Sequence, residues 1–219
     1  MTESPPIWSF DRKTEVAAVD RNAKRADHRE LCYAVVDAVL SIRETGNVLD
    51  EDVRAFTKAL ECPNEYVFCA GGRRLVQCSH FDDKCAAQLR AMMGHANWLA
   101  RRNTVAVTDY NPPDNVLLAI LRAGLTDGSK RVRALAGGKV LLRARRELLP
   151  ELEQCLRVEK DEAVRTELSN AVQLLRGKPV VRGGVTTTLE PDDDGRYRLV
   201  SRSESGDSYT VVSSVQRPS

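Results

Sequence analysis

Aromatic side chains are scarce in this chain of 219 residues. Phenylalanine, tyrosine and tryptophan together make up 5% of it, and the opposite charges nearly cancel, to a formal net charge of +2. So few aromatic rings leave little material for base-stacking or sugar-binding surfaces, and so small a net charge excludes a general electrostatic affinity for nucleic acid. The composition favours a core of Ala, Val and Leu, as in packed helices.

Long hydrophobic runs are also missing. No stretch of about 18 uncharged apolar residues occurs, so nothing in the sequence predicts a membrane-spanning helix. Residues 1–13, MTESPPIWSFDRK, lack the basic and apolar regions of a signal peptide. Six cysteines are too few for a disulfide scaffold in a chain of this length. We therefore expect a soluble, cytoplasmic protein that is stabilised by packing alone.

The familiar catalytic and cofactor motifs are absent as well. The chain has no G-x-S-x-G, HExxH, P-loop or G-x-G-x-x-G pattern, so it predicts no catalytic residue and no cofactor. One cysteine–histidine cluster lacks the closely spaced thiolate pairs that are typical of zinc sites. A structural metal, a redox role and buried thiols are its alternative interpretations; the last is favoured, and no metal site is predicted. The members of the cluster are Cys62, Cys69, Cys78, His80 and Cys85.

The predicted organisation begins with a flexible polar arm over residues 1–27, followed by a helical region over 28–110. In that region a first helix ends at Gly46 and a second covers residues 50–62. A third is predicted over 82–102, where apolar residues follow a heptad-like spacing.

Residues 63–80 predict a small β-hairpin inserted between these helices. Two short runs, YVFC and LVQC, flank a glycine pair, which is typical of a tight turn. A loop is the competing interpretation. The sequence AGGRR at 70–74 could hold an anion, but a plain hairpin turn is favoured.

From residue 115 to 176 the chain repeats a helix–turn–helix pattern. The segment LLPEL, followed by KDEAVR and then AVQLL, resembles a HEAT-type repeat, with an aspartate in the turn and Val-Arg at the start of the second helix. The preceding unit shares the Val-Arg pair but carries Gly137-Gly138 inside its second helix. Two glycines in a helix cost about 1.5–2 kcal/mol relative to alanines, so we expect a bend or break there.

The resemblance implies an α-solenoid of stacked helical hairpins, with the HEAT-like repeats over residues 111–177 and a concave surface that usually takes protein partners and sometimes nucleic acid. After the repeats, residues 178–219 contain β-branched runs separated by turn sequences. They form either a three-stranded meander packed on the helices or a largely disordered tail. The expected fold is therefore mainly α and HEAT-like, with a small β-hairpin insertion and a β-rich or disordered C-terminal extension.

Seven basic residues and no acidic residue lie between Asp127 and Glu147. This segment is the candidate partner-binding surface. The competing interpretation is a solvated helix in which Arg133 and Arg165 form hydrogen bonds to turn acids such as Asp127 and Asp161. The candidate partner-binding residues are Lys130, Arg131, Lys139, Arg143, Arg145 and Arg146.

Taken together, these patterns predict a non-enzymatic scaffold or interaction module that binds another protein. The alternative function is nucleic-acid binding through the basic segment at 130–146. A third possibility is an enzyme whose catalytic residues no linear motif reveals. The sequence does not identify the partner.

Overall fold

The computed structural model of the chain describes residues 11–191, 197–203 and 208–211. Over these residues the chain is mainly helical and ends in a small antiparallel sheet. The α-helices are α1 (Arg12–Asn22), α2 (Ala26–Thr45), α3 (Asp50–Leu60), α4 (Glu65–Cys78), α5 (Asp83–Ala91), α6 (Trp98–Ala106), α7 (Asp114–Leu125), α8 (Lys130–Leu142), α9 (Leu149–Val158) and α10 (Glu162–Leu175). The strands are β1 (Val180–Arg182), β2 (Val185–Pro191), β3 (Tyr197–Ser203) and β4 (Ser208–Val211).

The chain divides into two compact units, Met1–Ile120 and Leu121–Ser219, and the division falls within α7. In the first unit α3 packs against both α2 and α4. In the second unit α10 packs against α8 and α9, and β1 and β2 lie against α10. Phe56 is the one aromatic residue among the largest fully buried side chains of the described chain; the others are leucine and isoleucine. The aliphatic core expected from the composition is therefore confirmed.

The β-hairpin predicted at residues 63–80 is wrong, because this segment forms α4. Gly71 and Gly72 lie inside the helix and face its neighbours. A Cβ atom at Gly71 would come within 2.5 Å of the Phe56 carbonyl oxygen on α3, and one at Gly72 would overlap Val107. The glycine pair therefore permits close packing of helices and does not form a turn.

The flexible arm predicted for residues 1–27 is wrong beyond residue 10, because α1 and the start of α2 form there. The Asp11 carboxylate caps α1 by accepting a hydrogen bond from a backbone N–H of the first turn, at 2.9 Å. Asp20 on α1 accepts a hydrogen bond from the Tyr33 hydroxyl on α2. These polar contacts and the packing of α1 on α2 order a segment whose own apolar pattern is weak. Residues 1–10 lie outside the described chain.

The single helix predicted over residues 82–102 is wrong, because the segment forms α5 and α6 with a 3₁₀ turn (Met92–Gly94) after α5. The Asn97 side chain accepts a hydrogen bond from the Leu99 N–H at 2.9 Å and starts the second helix. In that helix, the buried Asn103 amide donates to two carbonyl groups near the end of α3, both at 2.9 Å. The apolar spacing continues across the break, which is why the pattern alone suggests one helix.

The repeated pattern forms helices where it is predicted to do so, as α7 to α10. The expected break at Gly137-Gly138 is wrong, because α8 continues through both residues. A Cβ atom at Gly137 would overlap the Leu168 side chain of α10, whereas one at Gly138 would have no neighbour within 4 Å. Gly137 therefore lets α8 approach α10, and Gly138 leaves open space beside α8.

The described part of segment 178–219 forms an antiparallel sheet in the order β1-β2-β3-β4, so it is β-rich. The sheet has four strands where the meander interpretation has three, because the first β-branched run, residues 180–189, forms a hairpin of β1 and β2. Gly183 and Gly184 have φ angles of 52° and 74° and form the two-residue turn between β1 and β2. The parts of this segment that lie outside the described chain are residues 192–196, 204–207 and 212–219.

We expect the two glycines of α8 to respond differently to alanine. Gly138→Ala should raise the free energy of unfolding by about 0.5–1 kcal/mol, because alanine favours the helix and its methyl group meets open space. Gly137→Ala should lower it by about 1 kcal/mol or more, because the overlap with Leu168 outweighs the helix-propensity gain. Denaturant unfolding monitored by circular dichroism measures both. Equal effects of the two substitutions would contradict the packing described for α8 and α10.

Candidate interaction surface

The six predicted partner-binding residues lie on α8 and on the segment that follows it. The structure brings them together in one stretch of the second unit, but their exposure differs. They therefore do not form one exposed basic face. Lys130, Arg131 and Arg146 are exposed, Lys139 and Arg143 are half-buried, and Arg145 is buried.

Several of these basic residues contact groups inside their own unit. Because of these contacts, the exposed positive charge of the segment is smaller than its number of basic residues suggests. Whether any of the six residues binds a partner stays a prediction. Lys130 pairs with Asp161 (2.5 Å), Arg145 pairs with Glu147 (3.3 Å), and the Arg146 guanidinium lies over the Tyr197 ring, 4.7 Å from its centroid.

Arg133 connects the turns of the two helix–turn–helix units. Its Nε and Nη2 atoms donate to the two carboxylate oxygens of Glu159 at 2.7 and 2.8 Å, and its Nη1 atom donates to the carbonyl oxygens of Asp127 and Gly128 at 2.8 and 3.2 Å. Hydrogen bonds between turns were expected for Arg133. The carboxylate that it binds is nevertheless Glu159, and the Asp161 carboxylate takes Lys130 instead.

The Glu159 carboxylate is held in its charged form. Its side chain is only 1% exposed. The hydrogen bonds from Arg133, and further bonds from the N–H groups of Asp161 and Lys160, lower the pKa of Glu159 to about 2. The two parallel charge-assisted hydrogen bonds fix the orientation of the two groups. Arg133 and Glu159 therefore connect the two helix–turn–helix units.

A mostly apolar groove of about 400 Å³ lies between α8, α10 and the first two strands. Small and aliphatic side chains form its walls, so it has little to offer a charged ligand. At its edge Glu167 and Arg182 contribute one charge of each sign. The walls include Ala134, Gly138 and Leu141 on α8, Ala171 and Leu174 on α10, and Val180 on β1.

Sequence reasoning missed this groove. Its α8 wall follows the spacing of one helix face, with Ala134, Gly138 and Leu141 at positions i, i+4 and i+7. That spacing was the available signal, but the side chains are small and Gly138 was interpreted as a bend. The role of the sheet in closing the groove depends on long-range packing, which the sequence pattern does not reveal.

The predicted cysteine–histidine cluster does not converge on one point. Cys78 and Cys85 are fully buried, and a mutual hydrogen bond together with burial raises the pKa of the Cys85 thiol. His80 is held elsewhere, with Nε2 at 2.7 Å from the Asn111 carbonyl oxygen. Within the described residues, no group of three or more His, Cys, Asp or Glu side chains is arranged to hold a metal ion.

The Arg133–Glu159 pair predicts a pH-dependent contribution to stability. The pKa of Glu159 lies at about 2 in the folded chain, below its ordinary value of 4.5, so the contribution is present above about pH 4.5 and is lost as the pH falls toward 2. Glu159→Gln should lower the free energy of unfolding by about 3 kcal/mol near neutral pH. The difference in free energy between the variant and the unaltered chain should shrink as the pH falls from about 4.5 to about 3. Chemical denaturation over this pH range measures it.

A matched control is available on α9. Glu153 pairs with Arg176 at 2.7 Å, but the two side chains are 32% and 50% exposed. Glu153→Gln should therefore change the free energy of unfolding by less than about 1 kcal/mol. A loss for Glu159→Gln that is no larger, or that does not change with pH, would show that the buried pair does not stabilise the repeats.

None of the helices in the described chain is both long enough and apolar enough to cross a membrane. The HEAT-like resemblance stays a prediction from the sequence pattern of residues 115–176. Comparison of the chain with protein-family models, with curated proteins and with solved structures gives no match.

Proposed function

We propose that the chain is a non-enzymatic, HEAT-like interaction module whose second unit binds an amphipathic helix of a partner protein in the groove between α8 and α10. The observation that carries this proposal is the groove itself, an apolar concavity that the unit's own side chains leave unfilled. Cores normally pack without voids of this size, and apolar concavities are the usual binding sites for partner segments.

The arrangement of helices supports a repeat architecture in the second unit. The second helices of the two repeats, α8 and α10, pack side by side. Arg122 near the end of α7 pairs with Glu151 on α9 at 2.9 Å, which connects the first helices. Arg133 and Glu159 connect the turns. Packing of second helix against second helix is part of the order that stacked helical repeats require.

The dimensions of the groove favour a helical partner. Its α8 wall runs from Ala134 to Leu141, which at 1.5 Å per residue is about 10 Å. A partner helix spans the same distance between residues i and i+7, so it can place two or three apolar side chains along the groove. Glu167 and Arg182 at the edge balance each other in charge, which suits a partner helix without a strong net charge.

Nucleic-acid binding through the basic segment has less support. Lys130, Arg145 and Arg146 already contact groups of their own unit. A site for phosphates needs several exposed cations on one face, because affinity comes mainly from the number of phosphates that are neutralised. The segment offers instead a mixture of exposed, half-buried and buried residues.

Filling the groove tests the proposal. Tagged protein purified from its native cell should retain a protein partner, and Gly138→Leu should lose it, because the leucine side chain occupies the groove while leucine keeps the helix. With purified partner, we expect Kd to rise about 10-fold or more, equivalent to about 1.4 kcal/mol. Isothermal titration calorimetry measures this change.

Two control variants separate the groove from general effects. Gly128→Leu adds the same side chain to open space in the loop before α8, and Gly138→Ala leaves most of the groove empty. Both should bind the partner with nearly unchanged Kd. The proposal is wrong if Gly138→Leu binds as tightly as Gly128→Leu. If Arg131→Glu and Arg146→Glu together abolish binding to duplex DNA or RNA in low salt while Gly138→Leu does not, nucleic-acid binding is the better account.

A further inference from the structure

A second cavity, separate from the proposed groove, lies within the first unit. It has a volume of about 250 Å³ and is bordered by α1, α2, α4 and the 3₁₀ turn Val107–Tyr110. The cavity is partly open to solvent, and its volume approaches that of the smaller ligand sites of proteins.

The lining of the cavity has two kinds of chemistry. Val19, Val35 and Val36 are apolar, and all three are almost fully buried. Arg73 and Arg74 on α4 add positive charge to the same lining. The cavity thus combines apolar surface with positive charge, the combination that binds a small amphiphilic anion.

Arg74 is the more firmly held of the two arginines that line the cavity. Its side chain is only 10% exposed, and its guanidinium donates to the Glu15 carboxylate at 3.1 Å and to the Gln77 side-chain oxygen at 2.9 Å. These bonds fix the orientation of the guanidinium group. Arg73, the neighbouring cation, is exposed and lies at the same cavity.

The charges that line the cavity leave an excess of one positive charge. Arg73 and Arg74 are the two lining cations, and Glu15 is the one lining carboxylate. Burial and a hydrogen bond to Cys69 raise the pKa of Tyr110 to about 12, so this lining hydroxyl carries no charge near physiological pH. The excess charge matches a monoanion better than a dianion such as phosphate.

We propose that this cavity binds a small carboxylate with a compact apolar body, its carboxylate against Arg73 and Arg74 and its body against the three valines. The planar fork of a guanidinium matches the geometry of a carboxylate. The valines provide apolar contacts for the body of the ligand. The function proposed for the second unit is not required for this site.

Three probes of graded chemistry test the site in the full-length chain. Benzoate carries both the anion and the apolar body, benzamide lacks the charge, and acetate lacks the body. We expect saturable binding of benzoate, with a Kd about 10-fold or more below those of benzamide and acetate. Chemical-shift titration of isotope-labelled protein measures the Kd and shows whether the shifted signals belong to residues of the cavity.

Variants of exposed or lining residues identify the contacts. Arg73→Gln should weaken benzoate binding about 10-fold, whereas Arg90→Gln, on the exposed surface of α5, should leave it unchanged. Ala70→Leu, which places a larger side chain in the cavity, should abolish binding while keeping a helix-forming residue in α4. Circular dichroism confirms that each variant is folded.

A substitution of Glu15 tests whether Arg74 binds the ligand or only stabilises the fold. Glu15→Gln removes the carboxylate that competes for this guanidinium, so benzoate should bind several-fold more tightly and benzamide should not. The proposal is overturned if benzoate binds no better than benzamide, if Arg73→Gln and Arg90→Gln behave alike, or if Ala70→Leu binds benzoate as the unaltered chain does.

Discussion

Close approach of helices at glycine is the constraint on which both units depend. In the first unit, Gly71 faces the backbone of α3 at a distance that no Cβ atom tolerates, and in the second unit Gly137 gives the Leu168 side chain its place against α8. A chain with few aromatic residues has few large side chains to fill the spaces between helices. It reaches native packing density by bringing the helices closer together, which only residues without a side chain allow.

The same constraint explains the vacant groove of the second unit. Gly137 and Gly138 are adjacent, so they point about 100° apart around α8, and only the first faces Leu168. The second glycine removes a side chain from the wall where α8, α10 and the strands meet. Packing of α8 against α10 therefore explains why residue 137 is glycine, but it does not explain Gly138. A second glycine lowers the stability of the helix, and its visible effect is the open space that it leaves beside α8.

Helices α7 to α10 and the β-rich character of the segment after Gly177 follow from local patterns in the sequence, although the Gly183-Gly184 turn between β1 and β2 was not recognised. The helical period, Asp161 at the start of α10 and the turn-forming residues point to the same structure at each of these places. Most of the wrong predictions fall where a short sequence pattern reflects a contact with residues that are distant in the sequence. Gly71-Gly72 has the sequence of a turn but serves a contact with α3, and the break after Ala91 interrupts a regular apolar stripe. The groove and the cavity were both missed, because each arises from elements that meet only in the folded chain.

Charge shows the same limit of local reasoning. All the charged residues between Asp127 and Glu147 are positive, yet Lys130 pairs with a carboxylate 31 residues away and Arg133 with one 26 residues away. These pairs form because the turn before α8 lies beside the turn before α10, so two of the seven positive charges are balanced by acidic residues of the second turn. A run of like charges along the sequence is therefore weak support for a basic surface. The groove beside α8 and α10 is, in contrast, an apolar space that the unit's own side chains do not fill.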